Sequence, residues 1–247
     1  MSSRAGTVIA VTRRGGRLRR RWAKGETTMS KLRLQITMTL DGYVAGPNQS
    51  VENPLGEGGM RIHDWARKLK GFREMHGDTG RGETGTNNDV LREAFENIGA
   101  TIMGRSMFGG GPGPWSKDPW TGWWGENPPF HTPVFVLTHH ARDPLVMKGG
   151  TTFHFVTGGI EAALDQAMRS AGGKDVALGG GANAAQQYLA AGLVDELEIH
   201  LVPLLLGGGE RLLDGLGGAG LRLEPIRTIA GPGVAHLKYR VVKPVRR

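Results

Sequence analysis

The chain contains no cysteine. That one absence removes disulfides, thiolate zinc sites, iron–sulfur clusters and cysteine nucleophiles together, and it fits a reducing cytoplasm. No apolar run reaches the roughly 18 residues that a membrane-crossing helix needs, so no helical span is expected. Acids are nearly missing from the first 28 positions. Glu26 stands there against Arg4, Arg13, Arg14, Arg17, Arg19, Arg20, Arg21 and Lys24. This stretch therefore holds seven of the chain's eight net positive charges, and the remainder is close to neutral. The basic character belongs to a tail, and the body is not expected to bind nucleic acid. Three readings of the tail stay open: a disordered arm for anionic partners, an Arg-rich targeting peptide, or residues upstream of a true start at Met29.

The 247 residues allow one large core. From residue 32 the chain alternates: Leu32, Leu34, Ile36, Met38 and Leu40 against Arg33, Gln35, Thr37 and Thr39. Period two predicts a strand, with Thr37, Thr39 and Asp41 on one face at steps of about 6.6 Å. Ile62, Trp65, Leu69 and Phe72 are spaced for a helix within 60–76, and a polar glycine-rich loop follows over 77–88. A helix over 89–97 leads into a short strand at 100–103 and the corner Gly104-Arg105-Ser106. Residues 109–131 are irregular and carry Trp115, Trp120, Trp123 and Trp124. Such long loops are often functional lids, although the indoles equally suit a loop glued to the body.

Strand and helix signals then alternate: strands at 133–138 and 152–156, a helix at 160–170, a strand at 175–178, a helix at 182–191 and a strand at 194–202. This rhythm predicts an α/β fold of three layers, α/β/α, around a mainly parallel sheet. Two strands, 221–229 and 234–242, joined by Ala230-Gly231-Pro232-Gly233, form a terminal hairpin. One domain over 30–243 is expected, preceded by the tail at 1–29.

The strongest local signal is DVALGGGANAAQQYLAAG. A strand enters Gly179, Gly180 and Gly181 and passes directly into a helix at Ala182 and Asn183. Free N–H groups and partial positive charge at a helix start attract phosphate, and glycines let a ligand approach the backbone. Asn183 could add a bond or cap the helix. The turn also fits G-x-G-x-x-A. It comes late in the chain, however, and lacks an acid about 20 residues on for a ribose hydroxyl, which argues against an ordinary Rossmann site. Gly104-Arg105 and Thr138-His139-His140 with Arg142 are two further strand ends bearing phosphate-compatible groups.

TMTLDGYVAGP, IGATIMGRSMF, PVFVLTHHAR and ALGGGANAAQQYLAAGLVDELEIHLVPLLLGGGERLL, in this order over about 31–243, resemble the dihydrofolate reductase-like superfamily. Nearest is the reductase domain of the riboflavin-biosynthesis deaminase-reductase and its stand-alone bacterial relatives. The resemblance implies about eight mostly parallel strands with an antiparallel last strand, NADPH as hydride donor, and a homodimer. It implies reduction of a small heterocycle or carbonyl, as by 5-amino-6-(5-phosphoribosylamino)uracil reductase. Gly104, Arg105 and Ser106 would hold phosphate near the adenosine end, with Thr138 and His139 beside them. Gly179, Gly180, Gly181, Ala182 and Asn183 would cradle the pyrophosphate. Thr37, Thr39 and Asp41 would line the cleft between nicotinamide and substrate, with Trp65 and Glu196 on the substrate side. The zinc deaminase half is absent, since neither H-x-E nor P-C-x-x-C occurs.

Asp41 is the first candidate for proton handling or substrate anchoring, although Asp-Gly is also an ordinary turn. Asp64, beside His63 at the start of the Trp65 helix, is the second. Glu196, Glu198 and His200 share a strand face and imitate metal ligands, but such a face is usually solvated or a dimer contact, and no metal is expected. Rival readings are a non-catalytic nucleotide binder on this fold, a folate or pteridine reductase, and a nucleic-acid binder acting through the basic arm.

Overall fold

The computed structural model describes residues 30–116 and 120–242; the expected basic tail lies outside these. Strands are β1 (Leu32–Thr39), β2 (Tyr43–Ala45), β3 (Ile98–Gly104), β4 (Pro133–Leu137), β5 (Leu145–Val146), β6 (Thr152–Val156), β7 (Asp175–Leu178), β8 (Glu196–Val202), β9 (Glu210–Arg211), β10 (Arg222–Gly231) and β11 (Val234–Val242). Helices are α1 (Asp64–Arg67), α2 (Lys70–Met75), α3 (Thr86–Phe95), α4 (Arg105–Phe108), α5 (Gly159–Ser170) and α6 (Ala182–Ala190). Nine strands form one sheet in the order β10-β11-β8-β1-β7-β3-β4-β6-β5. The pairings from β8 to β6 are parallel, while β5, β11 and β10 run antiparallel to their neighbours. The expected mostly parallel sheet with a terminal hairpin is present, with one strand more than expected because Leu145–Val146 adds a short edge.

The alternation of β1 decides the layering. Leu32, Leu34 and Met38 join Leu178, Leu197, Ile199 and the alanines and Tyr188 of α5 and α6 in the largest core. The opposite face carries Arg33, Gln35, Thr37 and Thr39, and two smaller apolar clusters cover that side. One joins Ile62, Trp65, Leu69 and Leu91 to Val202 and Val234; the other joins Met103, Phe108, Val134, Val136 and Phe153. Burying these clusters stabilises the sheet at about 25 cal/mol per Å² of apolar surface.

The single helix expected over 60–76 is broken. A 3-10 turn at Gly59–His63 precedes α1, and Leu69 adopts an extended conformation before α2. Lys70 N–H bonds to Glu83 and Glu83 N–H to Lys68, so the chain exchanges helical bonds for a bridge to the following loop. Helix α3 starts at Thr86, three residues earlier than expected, with no side chain capping it. Among the described residues no helix is long and apolar enough to cross a membrane.

The face bearing Glu196, Glu198 and His200 is not solvated. Glu198 and His200 are buried. Arg227 bridges Glu93 of α3 and Glu198, at 3.1 Å to the latter, and Lys238 lies 3.4 Å from both Glu93 and Glu196. Arg33 donates to the carbonyls of Glu93 and Glu96 at the end of α3, where a cation complements the helix dipole. Charge matching thus lets a polar face be covered. Replacing Arg227 by Met leaves Glu198 under α3 without its main cation. We expect urea unfolding to show a loss of about 3 kcal/mol, largely restored by adding Glu198→Leu; an unchanged midpoint in the single variant would exclude a stabilising role for the pair.

Candidate active site

Glycine chemistry joins two strand ends. Gly104 N–H donates to the Gly180 carbonyl at 2.7 Å, and Gly179 N–H to the Ile102 carbonyl at 2.9 Å. Gly180 has φ of 110°, a conformation that a side chain would strain. A Cβ on Gly104 would stand 3.3 Å from Ala184 Cβ, so the glycine admits α6 to the β3 corner. The Gly180–Gly181 peptide is cis.

Helix α6 begins at Gly181 with no side-chain cap and no acid in its first turn. Of the two roles open to Asn183, it does not cap the helix; its Oδ1 accepts from Gln187 Nε2 one turn on, at 2.7 Å. The first N–H groups of α6 therefore keep their partial positive charge, and a Cβ built on Gly181 meets nothing within 4 Å.

The neighbouring strand ends add cations. Arg105 donates to the carbonyls of Gly109 and Gly110 and stacks on Trp115, while its buried Nη1 has no partner among the described residues. Burial, with Arg142 close by, lowers the Arg105 pKa, and an arginine still stays charged. Arg142 lies 4.8 Å from the ring centres of both Trp115 and Phe155 and donates to the Trp120 carbonyl. Thr138 is buried, its hydroxyl accepting from His140 N–H at 3.2 Å, while His139 is exposed. Ser106 is exposed in the first turn of α4.

Three of the four tryptophans tie the loop to the body of the protein. Trp115, Trp120 and Trp124 pack on Phe108, Phe153 and Val134 at the β3–β4–β6 side of the sheet. Trp120 Nε1 donates to the Phe108 carbonyl and Trp115 Nε1 to the His140 carbonyl. Their apolar rings cover the second half of the sheet face, and their N–H groups tie the loop down.

At the end of β1, Asp41 is saturated. One carboxylate oxygen accepts the Thr39 hydroxyl at 2.6 Å; the other accepts the N–H groups of Leu206 and Gly207 at 2.9 and 2.8 Å. The Thr39 hydroxyl foremost, then these amides, hold its carboxyl below the usual range against the opposing effect of burial. Such a group anchors a loop and is poorly suited to donate a proton at neutral pH.

An open cleft of about 400 Å³ lies beside the ends of β8 and α1, lined by Arg61, Asp64, Trp65, Lys68, Val202 and Leu204 among others. Asp64 is exposed there. Trp65 is only 6% exposed; it covers the buried His200 and His236 with ring centres 4.9 and 5.2 Å away, and its Nε1 donates to Thr37 Oγ1 at 3.3 Å. Glu196 is not part of this end. It stands at the start of β8 opposite Arg33, bonded to Lys31, about 20 Å of strand from Val202. The structure gathers Thr37, Thr39, Asp41 and Trp65 at one end of β1, and Gly104, Arg105, Thr138 and Gly179–Asn183 along the adjoining strand ends. Sequence reasoning missed His236 and Asn87, since only the register of β11 on β8 sets His236 against His200.

The sheet order, its antiparallel terminal hairpin and the glycine turn between β7 and α6 define a dihydrofolate reductase-like fold. The sequence matches the family model of the RibD C-terminal domain over residues 30–235, and the chain belongs to that family. Among solved structures, a protein of Shewanella sp. PV-4 assigned to riboflavin biosynthesis is 20% identical, with a TM-score of 0.55 over 86% of this chain and 99% of that one. Acinetobacter baumannii RibD (form 2) is 18% identical, with a TM-score of 0.50 over 87% of this chain and 58% of its own. Dihydrofolate reductase from Enterococcus faecalis, complexed with NADP(H) and RAB-propyl, is 14% identical with a TM-score of 0.48, over 85% of this chain and 96% of that one. At such identities the likeness is one of fold. No curated protein matches the sequence.

The histidine pair gives a pH dependence. Burial first, and then the neighbouring His236, His63 and Arg227, push His200 down to about 3; burial and Arg227 push His236 down to about 4. Below the ordinary histidine value the unfolded chain takes up protons that the folded chain refuses. Stability is therefore complete above about pH 6.5 and falls as pH drops toward 4. Urea midpoints from pH 7 to 5 should decline, by about 2 kcal/mol per imidazole at the lower end. A flat profile would contradict the burial of the pair.

Proposed function

We propose that this chain is an NADPH-dependent reductase of a small heterocycle, of the kind that reduces the ribosylaminopyrimidine of riboflavin biosynthesis. Membership of the RibD C-terminal domain family supports the class of reaction. The observation that carries the cofactor is the start of α6: a nine-residue helix with neither side-chain cap nor acid, behind three glycines and beside a corner with two arginines.

These residues suit a phosphate-rich dinucleotide. The α6 N–H groups from Ala182 to Ala184 would take the pyrophosphate, and Gly181, with open space where a Cβ would stand, leaves the backbone approachable. Arg105, Arg142, Thr138 and His139 would hold the phosphate that distinguishes NADPH from NADH, with Ser106 adding a hydroxyl. The unpartnered Nη1 of Arg105 supports this reading. The bound cofactor would supply the hydride. The protein's own part is to orient rings at the end of β1 and to exclude water. Thr37 and Thr39 supply the hydroxyls of that end, and Asp41 holds the Leu206–Gly207 backbone against it. Asp64, exposed in the cleft, is the remaining carboxylate near the opening.

Calorimetry should show NADPH binding much more tightly than NADH. Arg105→Ala should narrow that preference by about tenfold, the loss of one charge-assisted bond. Asn183→Asp should weaken NADPH by severalfold, because an acid at the α6 start competes with phosphate. Absence of binding of either cofactor would refute the proposal.

Asp41→Asn should raise KM and lower kcat/KM while leaving the pH profile of turnover where it was, as befits an anchor. A displaced pH optimum would instead make Asp41 the proton donor.

A further inference from the structure

One side chain of the tryptophan loop reaches three separate elements of the corner beside α6. The Trp115 indole is half-buried. The Arg105 guanidinium of α4 lies over its ring, 3.1 Å from the ring centre, and the Arg142 guanidinium lies 4.8 Å from the same centre. Its Nε1 donates to the His140 carbonyl at 2.9 Å, and the His140 N–H in turn donates to the Thr138 hydroxyl at 3.2 Å. Phe108 and Phe155 meet the indole edge to face, with ring centres 5.9 and 5.0 Å away, and fix its plane. Trp120 and Trp124 pack on other aromatic rings, whereas Trp115 also meets two cations. The bond from Gly104 to Gly180 sets this corner next to the start of α6.

Two guanidiniums at one ring repel each other. Burial, and then the nearness of Arg142, lower the Arg105 pKa. The negative face of the indole offsets part of that repulsion. Stacking uses the flat face of a guanidinium and leaves its N–H groups in the plane for an acceptor. A doubly charged anion at this corner would remove the rest of the repulsion. We propose that Trp115 is a positioning residue for cofactor selectivity: its ring fixes Arg105 and Arg142, and its N–H fixes the Thr138–His140 turn, so that the tryptophan loop sets the preference for a ribose carrying a 2′-phosphate. This rests on the reductase reading and adds to it a residue from outside the strand ends. Trp115 acts through the arginines and the turn, and does not itself bond the phosphate.

Adenosine 2′,5′-bisphosphate and adenosine 5′-monophosphate differ only in the 2′-phosphate, and calorimetry with both on the full chain tests the idea. The bisphosphate should bind more tightly. Trp115→Leu should lower its affinity about tenfold, the worth of the lost cation–ring contacts, and that of the monophosphate by less than about twofold. Trp115→Phe keeps an aromatic face and should fall between wild type and Trp115→Leu. Equal weakening of both ligands would make Trp115 a mere prop and overturn the proposal. In the Arg105→Ala background Trp115→Leu should have a smaller effect than in the wild type, because its action runs partly through Arg105; fully additive losses would overturn it. NMR of the wild-type chain gives a readout that needs no variant. The Arg105 Nε–H proton should be shifted upfield by the indole ring current, and an ordinary position for it would also overturn the proposal. NADPH and NADH calorimetry on the same samples separates the two readings. A preference for NADPH that survives Trp115→Leu refutes only this inference, whereas absence of binding of either cofactor to the wild-type chain refutes the reductase.

Discussion

The bond from Gly104 N–H to the Gly180 carbonyl, 2.7 Å long, is the constraint on which the glycine turn and the start of α6 depend. It joins two parallel strand ends that are neighbours in the sheet but 76 residues apart in the chain. Glycine suits both partners: Gly180 has a positive φ that a side chain would strain, and a Cβ on Gly104 would press on Ala184 at 3.3 Å. The result aims the start of α6 at the same space as the β3–α4 corner. A turn built this way is held by backbone, so its shape costs little side-chain entropy.

The opposite end of the site is built of side chains, and it depends on the two faces of β1 and β8. One face is apolar and packs under α5 and α6; the other buries arginines, glutamates and histidines under α1 to α3. A polar face can be covered only when its partners are supplied. Glu93 on α3, Arg227 on β10 and Lys238 on β11 supply charges, and Asn87 supplies an amide. The helix that covers this face is thus selected by polar complementarity, where the helices opposite are selected by apolar area.

That difference explains what the sequence made legible. The sheet, the terminal hairpin, the glycine turn and the Arg105 corner are local patterns of period and turn chemistry, and they stand where the pattern sets them. The covering of a face is not local. Glu196, Glu198 and His200 alternate like a solvated strand because β8 carries no sign of Glu93 or Arg227, which lie far along the chain. Glu196 was placed beside the cleft by the resemblance, which carries over a whole segment and not the end of β8 on which each residue stands. For the tryptophans of 115–124 a loop's composition leaves lid and glued loop open, and only the fold sets Trp115, Trp120 and Trp124 against Phe108 and Phe153. Asp41 was visible as a residue, but its three donors come from Thr39 beside it and from Leu206 and Gly207 far away.

The two ends are therefore held in different ways. At the glycine end the first α6 N–H groups have no side-chain cap, and the turn is kept in place by backbone bonds to the neighbouring strand. At the Trp65 end the shape is kept by packing: the indole is 6% exposed, lies over His200 and His236, and donates to Thr37. Removing a buried tryptophan from a core costs about 3–5 kcal/mol, so this end resists deformation through buried area, whereas the glycine end depends on two backbone hydrogen bonds and on the small size of the residues that make them.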